Sequence, residues 1–141
     1  MDEDSAIVKQ YLQAGAIPIV KGIVPQIGSS DHDSNPVFGE SKNPHDFARV
    51  CGGSSGGECA LVASKCVPFS VGTDIAGSLR TPAAFCGVYS MKATAGRVTD
   101  RGVGDSNRER FDDFNHLKTV PGPIGSSVDD VITGFKVQSD P

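Results

Sequence analysis

Ser54 and Ser78 each sit in a glycine-rich segment, and these segments are the part of the chain best suited to chemistry. The first reads Cys51-Gly52-Gly53-Ser54-Ser55-Gly56-Gly57-Glu58 and the second Gly72-Thr73-Asp74-Ile75-Ala76-Gly77-Ser78-Leu79-Arg80. Only a short apolar stretch separates them, so they read as two halves of one site. Successive backbone N–H groups in a turn such as Ile75-Ala76-Gly77-Ser78 can converge on one point, as in an oxyanion hole, where losing one donor costs ~10²–10³ in rate. Ser78 at the end of that turn could attack a carbonyl whose charge the same turn holds. Its bland reading is a helix N-cap, and N-cap serines outnumber nucleophiles. The first segment has three readings: a flexible linker, a phosphate cradle, or a strained loop that places a hydroxyl against another catalytic group. The cradle lacks the Gly-Lys-Ser/Thr ending. A linker would not lead at once into a helix and a strand.

A serine hydroxyl needs a base to take its proton. His32, His45 and His116 lie in polar, loop-like stretches and none sits in a triad motif. Solvated surface is the expectation for each. A Ser-Ser-Lys relay needs no histidine.

Elements must position these serines. Asp4 to Ala14 reads as a helix, with Ile7, Val8, Tyr11 and Leu12 at helical spacing and Gly15 as its stop. Ala16 to Val20 reads as a short buried strand, and Gly22 to Val50 as irregular. Glu58 to Lys65 reads as a helix with Ala60, Leu61 and Ala63 on its apolar side, and Val67 to Val71 as a strand. Leu79 to Phe85 reads as a short helix or turn, because Pro82 is tolerated only in a first turn. Gly87 to Met91 reads as another strand, and Ala95 to Lys118 as polar and irregular. Ser127-Val128-Asp129-Asp130 resembles a capping box that starts a helix through Val131, Ile132 and Phe135. Helix and strand alternation predicts an α/β fold with both serines on loops at one edge.

Composition narrows the function. The 141 residues suit one domain with a moderate core. A net charge of −4 without a basic stripe leaves no electrostatic footprint for nucleic acid. No apolar run approaches the ~20 residues that cross a bilayer. The acidic Met1-Asp2-Glu3-Asp4 start is neither a secretory signal nor a transit peptide, which points to the cytoplasm or to an upstream region. Cys51, Cys59, Cys66 and Cys86 show no CxxC spacing and read as buried small hydrophobes in a reduced compartment. No metal site and no cofactor is expected.

From Leu12 to about Lys136 the chain resembles the amidase signature family, and within it most of all the fatty acid amide hydrolase branch. The resemblance rests on Gly15-Ala16-Ile17-Pro18, Val24-Pro25-Gln26, Asn35-Pro36-Val37-Phe38-Gly39, Asn43-Pro44 and the block from Gly52 to Glu58. Gly72-Thr73-Asp74-Ile75, Gly77-Ser78-Leu79-Arg80, Phe85-Cys86-Gly87, Gly122-Pro123-Ile124 and Ser127-Val128-Asp129-Asp130 complete it in order.

The resemblance implies a mixed sheet flanked by helices and hydrolysis of linear amides, fatty acid amides among them, by a Ser–cis-Ser–Lys mechanism. By motif, Ser78 matches the nucleophile and Ser54 the bridging serine, which follows a cis peptide bond in the family. The N–H groups of Ile75, Ala76, Gly77 and Ser78 match the oxyanion hole. Ser55, Thr73, Asp74 and Arg80 match supporting positions. The partner it implies is a small-molecule amide, with a homodimer and either a cytoplasmic or a membrane-associated place for the full-length protein.

Three departures stand out. Ala76 replaces the first Gly of Gly-Gly-Ser, where a methyl would strain the turn if φ were positive. Cys51 stands where Pro is common, and Ala93 interrupts the usual Lys-Pro-Thr. Third, the catalytic Lys belongs upstream of the region that Leu12 to Gln26 matches. Lys21 aligns with a different, non-catalytic position. Residues 1–141 are thus expected to be part of an amidase signature domain, without its Lys region or C-terminal region, and nearly inactive alone. Two other readings are a degenerate, non-catalytic interaction module and a transamidase component that frees ammonia from glutamine.

Overall fold

The computed structural model describes residues 3–103 and 118–139, and His116 and most of the stretch expected to be irregular lie outside them. The fold is α/β. Helix α1 spans Ala6–Gln13, and Ser5, one residue inside the expected start, caps it by accepting the Val8 N–H at 3.4 Å. Ile7 and Tyr11, four apart, are its buried residues, while Leu12 faces out. Gly15 takes φ +89 and ends the helix as expected.

Ala16 to Val20 forms no strand, which corrects the sequence reading. Ile17 and Ile19 are 82% and 71% exposed, and no described strand lies beside them to accept their hydrogen bonds. Gly22 to Val50 is more ordered than expected. A 3₁₀ turn at Gln26–Gly28 precedes two antiparallel hairpins, β1 (Ser34–Asn35) with β2 (Gly39–Glu40), and β3 (Lys42–Asn43) with β4 (Asp46–Val50). Asn35 and Asn43 organise them locally. Asn35 Oδ1 accepts the N–H groups of Val37 and Phe38 at 3.0 and 2.8 Å, and Asn43 Oδ1 accepts that of His45 at 3.0 Å.

Helix α2 (Gly56–Ala63) starts two residues before the expected point; Cys59 and Val62 are its buried apolar side chains, and Ala60, Leu61 and Ala63 pack half-buried against the same core. Strand β5 (Phe69–Asp74) leads through the Ser78 turn into α3 (Arg80–Cys86), whose third residue is Pro82, still within the first turn. Gly87, left-handed at φ +67, caps α3. Strand β6 is only Tyr89–Ser90. Helix α4 (Val128–Ser139) begins with the expected capping box, because Asp130 Oδ2 accepts the Ser127 N–H at 2.9 Å and Ser127 Oγ accepts the Asp130 N–H at 3.2 Å.

The sequence reading missed β7 (Val120–Gly125), the centre of the sheet ordered β5-β7-β6. Both of its pairings are antiparallel, with Val71 opposite Pro123 and Ser90 opposite Ile124. Pro121 and Pro123 argue against a central strand by rule. The structure resolves this by side. The Pro123 carbonyl accepts the Met91 N–H at 3.3 Å, so it points toward β6, and alternation turns Pro121 the same way. Strand β6 pairs only with Ile124 and Gly125, so both prolines lie beyond the paired stretch of that edge.

The sheet lies between two cores. One joins α2 and α3 through Cys51, Cys59, Val62, Val67, Leu79, Ala83, Cys86 and Ile124. The other joins α1 to Ala93, Val98 and Val120, with Phe69 and Phe135 packed against it. Cys51, Cys59 and Cys86 are buried as expected, but Cys66, just past the end of α2, is exposed.

Candidate active site

Ser54 lies in the loop between β4 and α2, and Ser78 in the turn between β5 and α3. The structure brings these two segments together. The Ser55 N–H donates to the Ser78 carbonyl at 3.1 Å. The Ser55 hydroxyl then spans to β5, donating to the Thr73 carbonyl and accepting the Thr73 N–H, both at 3.2 Å. Gly72 makes room for this, since a Cβ there would collide with the Ser55 hydroxyl and sit 2.8 Å from Leu79 Cδ2. The Gly53–Ser54 peptide is cis.

Ser54 is buried and Ser78 half-buried. The N-cap position of α3 is Leu79 and no side chain caps it, so Ser78 is not an N-cap serine. Among the described residues, neither serine hydroxyl has a hydrogen-bond partner, and the two are not bonded to each other. The Ser78 hydroxyl is therefore available to a ligand.

Asp74 shapes the turn. It is fully buried at the end of β5, and its carboxylate accepts the Gly77 N–H at 2.9 Å and the Leu79 N–H at 3.1 Å. Arg80 closes a two-pronged pair on it at 3.0 and 3.1 Å. Burial alone would raise the Asp74 pKa. The Arg80 guanidinium and the Leu79 and Gly77 amides outweigh burial and hold it below the ordinary carboxylate range.

This bonding modifies the expected donor set. The Gly77 N–H, one of the four expected donors, is committed to the Asp74 carboxylate. Gly77 takes φ +140, and Thr81 Oγ1 would lie 3.0 Å from any Cβ there. Ala76 has no positive φ and is exposed, so its methyl does not strain the turn.

His32 pairs with Glu40 at 2.7 Å, and the His45 ring meets the Cys86 carbonyl at 2.8 Å. Both side chains are thus occupied away from the serines. Among the described residues no group of three His, Cys, Asp or Glu side chains could hold a metal, and no helix is long and apolar enough to cross a membrane. An open groove lined by Met91, Lys92, Thr94, Arg97 and Phe135 lies apart from both serines.

The sequence reading passed over two buried acids behind the Ser54 loop, Asp33 and Glu58. Glu58 immediately follows the glycine segment, at a position where a charged residue signals the first turn of a helix. Asp33 gave no local signal.

Comparison with known proteins places this arrangement. The family model described as Amidase matches residues 1–141. The chain is 46% identical over 100 residues to a component of the Glutamyl-tRNA(Gln) amidotransferase of Legionella pneumophila, covering 71% of this chain and 21% of the relative. It is 38% identical over 135 residues to the Vitamin D3 hydroxylase-associated protein of Gallus gallus, covering 96% and 28%. The solved structure of 6-aminohexanoate cyclic dimer hydrolase with its substrate superposes with a TM-score of 0.89 at 32% identity, covering all of this chain and 28% of that one. The chain spans between a fifth and three-tenths of the length of these relatives.

Proposed function

Because the chain belongs to the amidase family, we propose that it supplies the two-serine part of an amidase domain, with Ser78 as nucleophile and Ser54 as proton bridge. The observation that supports this most is the Ser55–Ser78 backbone bond, which joins the two glycine loops beside an uncapped Ser78 hydroxyl. In this reading the Ser78 oxygen attacks the amide carbonyl and the C–N bond breaks. Ser54 passes the Ser78 proton to a base and returns one to the leaving amine. Water then releases the acid from Ser78. The Ile75, Ala76 and Ser78 amides hold the negative charge on the carbonyl oxygen. Asp74 and Arg80 fix the turn, and Ser55 and Thr73 fix the spacing of the loops.

We assign the base to none of the lysines among the described residues. Lys9 and Lys42 pair with Glu3 and Glu40, and Lys21 is exposed beside Glu58. By analogy with another serine hydrolase, loss of one triad member costs roughly 10⁴–10⁶ in kcat. The substrate class is a linear amide. The Ala16-Ile17-Pro18 and Val24-Pro25-Gln26 segments favour fatty acid amides. Likeness to the Glutamyl-tRNA(Gln) amidotransferase component favours a second reading, release of ammonia from glutamine.

Purified chain incubated separately with oleamide and with glutamine is expected to give no turnover above background. A fluorophosphonate probe is expected to label slowly, with its adduct on Ser78. Rapid turnover that Ser78→Ala abolishes would mean that a group of this chain serves as the base. An adduct on Ser54 that persists in Ser78→Ala would overturn the assignment of the nucleophile.

A further inference from the structure

Asp33 and Glu58 are acids without a matching base. Asp33 is fully buried, and no described cation pairs with its carboxylate; the nearest donors, the Ser41 hydroxyl and the Gly57 amide, fall short of full hydrogen-bond geometry. Glu58 is 9% exposed, and its Oε2 has no hydrogen-bond partner. Leaving such groups ionised in a dry interior is costly, so a proton is the simplest means of neutralising them.

The packing around them has no slack. A Cβ on Gly56 would sit 2.7 Å from Asp33 Cβ and 2.7 Å from Cys51 Sγ. One on Gly57 would sit 2.5 Å from the Ile23 nitrogen, and one on Gly22 would sit 2.7 Å from Glu58 Oε1. The 22–33 segment therefore lies directly on the first turn of α2. The same segment reaches the cis peptide, because a Cβ on Gly53 would collide with the Ser30 carbonyl.

We propose that Asp33 and Glu58 form a buried, proton-holding pair that clamps the 22–33 segment onto the Ser54 loop and loosens it when the second carboxyl ionises. This holds whether or not Ser54 and Ser78 are catalytic. The titratable groups that face the pair are Lys21, just before the 22–33 segment, His32 within it, Cys51 on the Ser54 loop and Cys59 on α2. Lys21 is exposed and His32 is bonded to Glu40, so neither neutralises the pair. Burial, with the charge of Asp33, pushes Glu58 up to about 7, against the amides of Glu58 and Gly22 and the charge of Lys21. Burial raises Asp33 also, against Ser41, the Gly57 amide and His32.

The sign follows from linkage. A carboxyl whose folded pKa exceeds its unfolded value binds more protons when folded, so stability falls as pH rises between the two. For Glu58 that window runs from 4.5 to about 7. The carboxylates held below their ordinary values, Asp74, Asp46 and Glu40, act at lower pH and with opposite sign.

The test is the urea midpoint of the chain from pH 4.5 to 8, with carboxyl ¹³C titration of the wild-type chain. The midpoint is expected to fall across the window and then level. Glu58→Gln and Asp33→Asn should each flatten this fall, whereas His32→Gln should retain it. Amide protection factors of residues 23–33 and 52–57 should drop about tenfold over the same range, with β5 and β7 unchanged. If a variant does not fold, the wild-type titration decides, because the pair requires one of the two carboxyls to titrate above pH 6. Both carboxyls titrating below pH 6 would overturn the proposal. So would a fall that persists in Glu58→Gln, or protection lost equally in β5 and β7.

Discussion

The Ser55 N–H donates to the Ser78 carbonyl at 3.1 Å, and this bond ties the loop before α2 to the turn after β5. The residue that follows Ser54 thereby fixes the position of the turn that carries Ser78. The Ser55 hydroxyl adds a second tie, bonded both ways to Thr73.

Ser55→Ala removes the side-chain tie and leaves the half-buried Thr73 backbone unpartnered there. Unmade buried hydrogen bonds cost about 1–3 kcal/mol. Urea unfolding is expected to show a loss of that size, with helix content by circular dichroism unchanged. A stability equal to wild type would mean that the hydroxyl carries no positioning role.

Gly72→Ala should be far worse than Gly15→Ala. The first drives a methyl into Ser55 and Leu79, whereas the second, at φ +89, meets nothing within 4 Å. Overpacking a core costs about 1–3 kcal/mol or more, while the mild backbone strain at Gly15 costs about 1 kcal/mol. Thermal melting of the two variants side by side checks the order.

Asp74→Asn should destabilise the turn and remove part of the acid sensitivity. The folded Asp74 carboxyl sits below its ordinary 3.8, so its contribution is full above that value and is lost as pH falls through the folded pKa. The Arg80 side chain is 56% exposed, so solvent weakens the ion pair and the two amide bonds dominate. A loss of about 2–3 kcal/mol at pH 7 is expected. Comparing unfolding at pH 7 and pH 3 tests both parts, because the variant should lose less than wild type on acidification.

Of the four cysteines, one should react in the native chain. Burial pushes the Cys51 and Cys86 thiols up to about 12 and about 11 and raises Cys59 further, while Cys66 is exposed. Iodoacetamide at pH 8 is expected to modify Cys66 within minutes and the others only in urea. Peptide mapping that finds Cys51 modified as fast as Cys66 would contradict the packing of the Ser54 loop.

Local rules carried much of the fold into the sequence. The Ser127 and Asp130 capping box, Pro82 in a first turn and the stop at Gly15 depend on neighbours within a few positions, and each forms as read. The glycine segments marked both serines for the same reason, because few other residues permit such loops. Partners distant in sequence decided the rest. Pro121 and Pro123 argued against a strand, yet both lie beyond the positions that the short β6 pairs. Ile17 and Ile19 looked buried, yet no described strand covers them. The commitment of the Gly77 N–H to Asp74, and the meeting of Asp33 with the start of α2, required the folded chain. Local sequence sets backbone conformation over a turn or two, but burial and pairing depend on what the rest of the chain brings alongside.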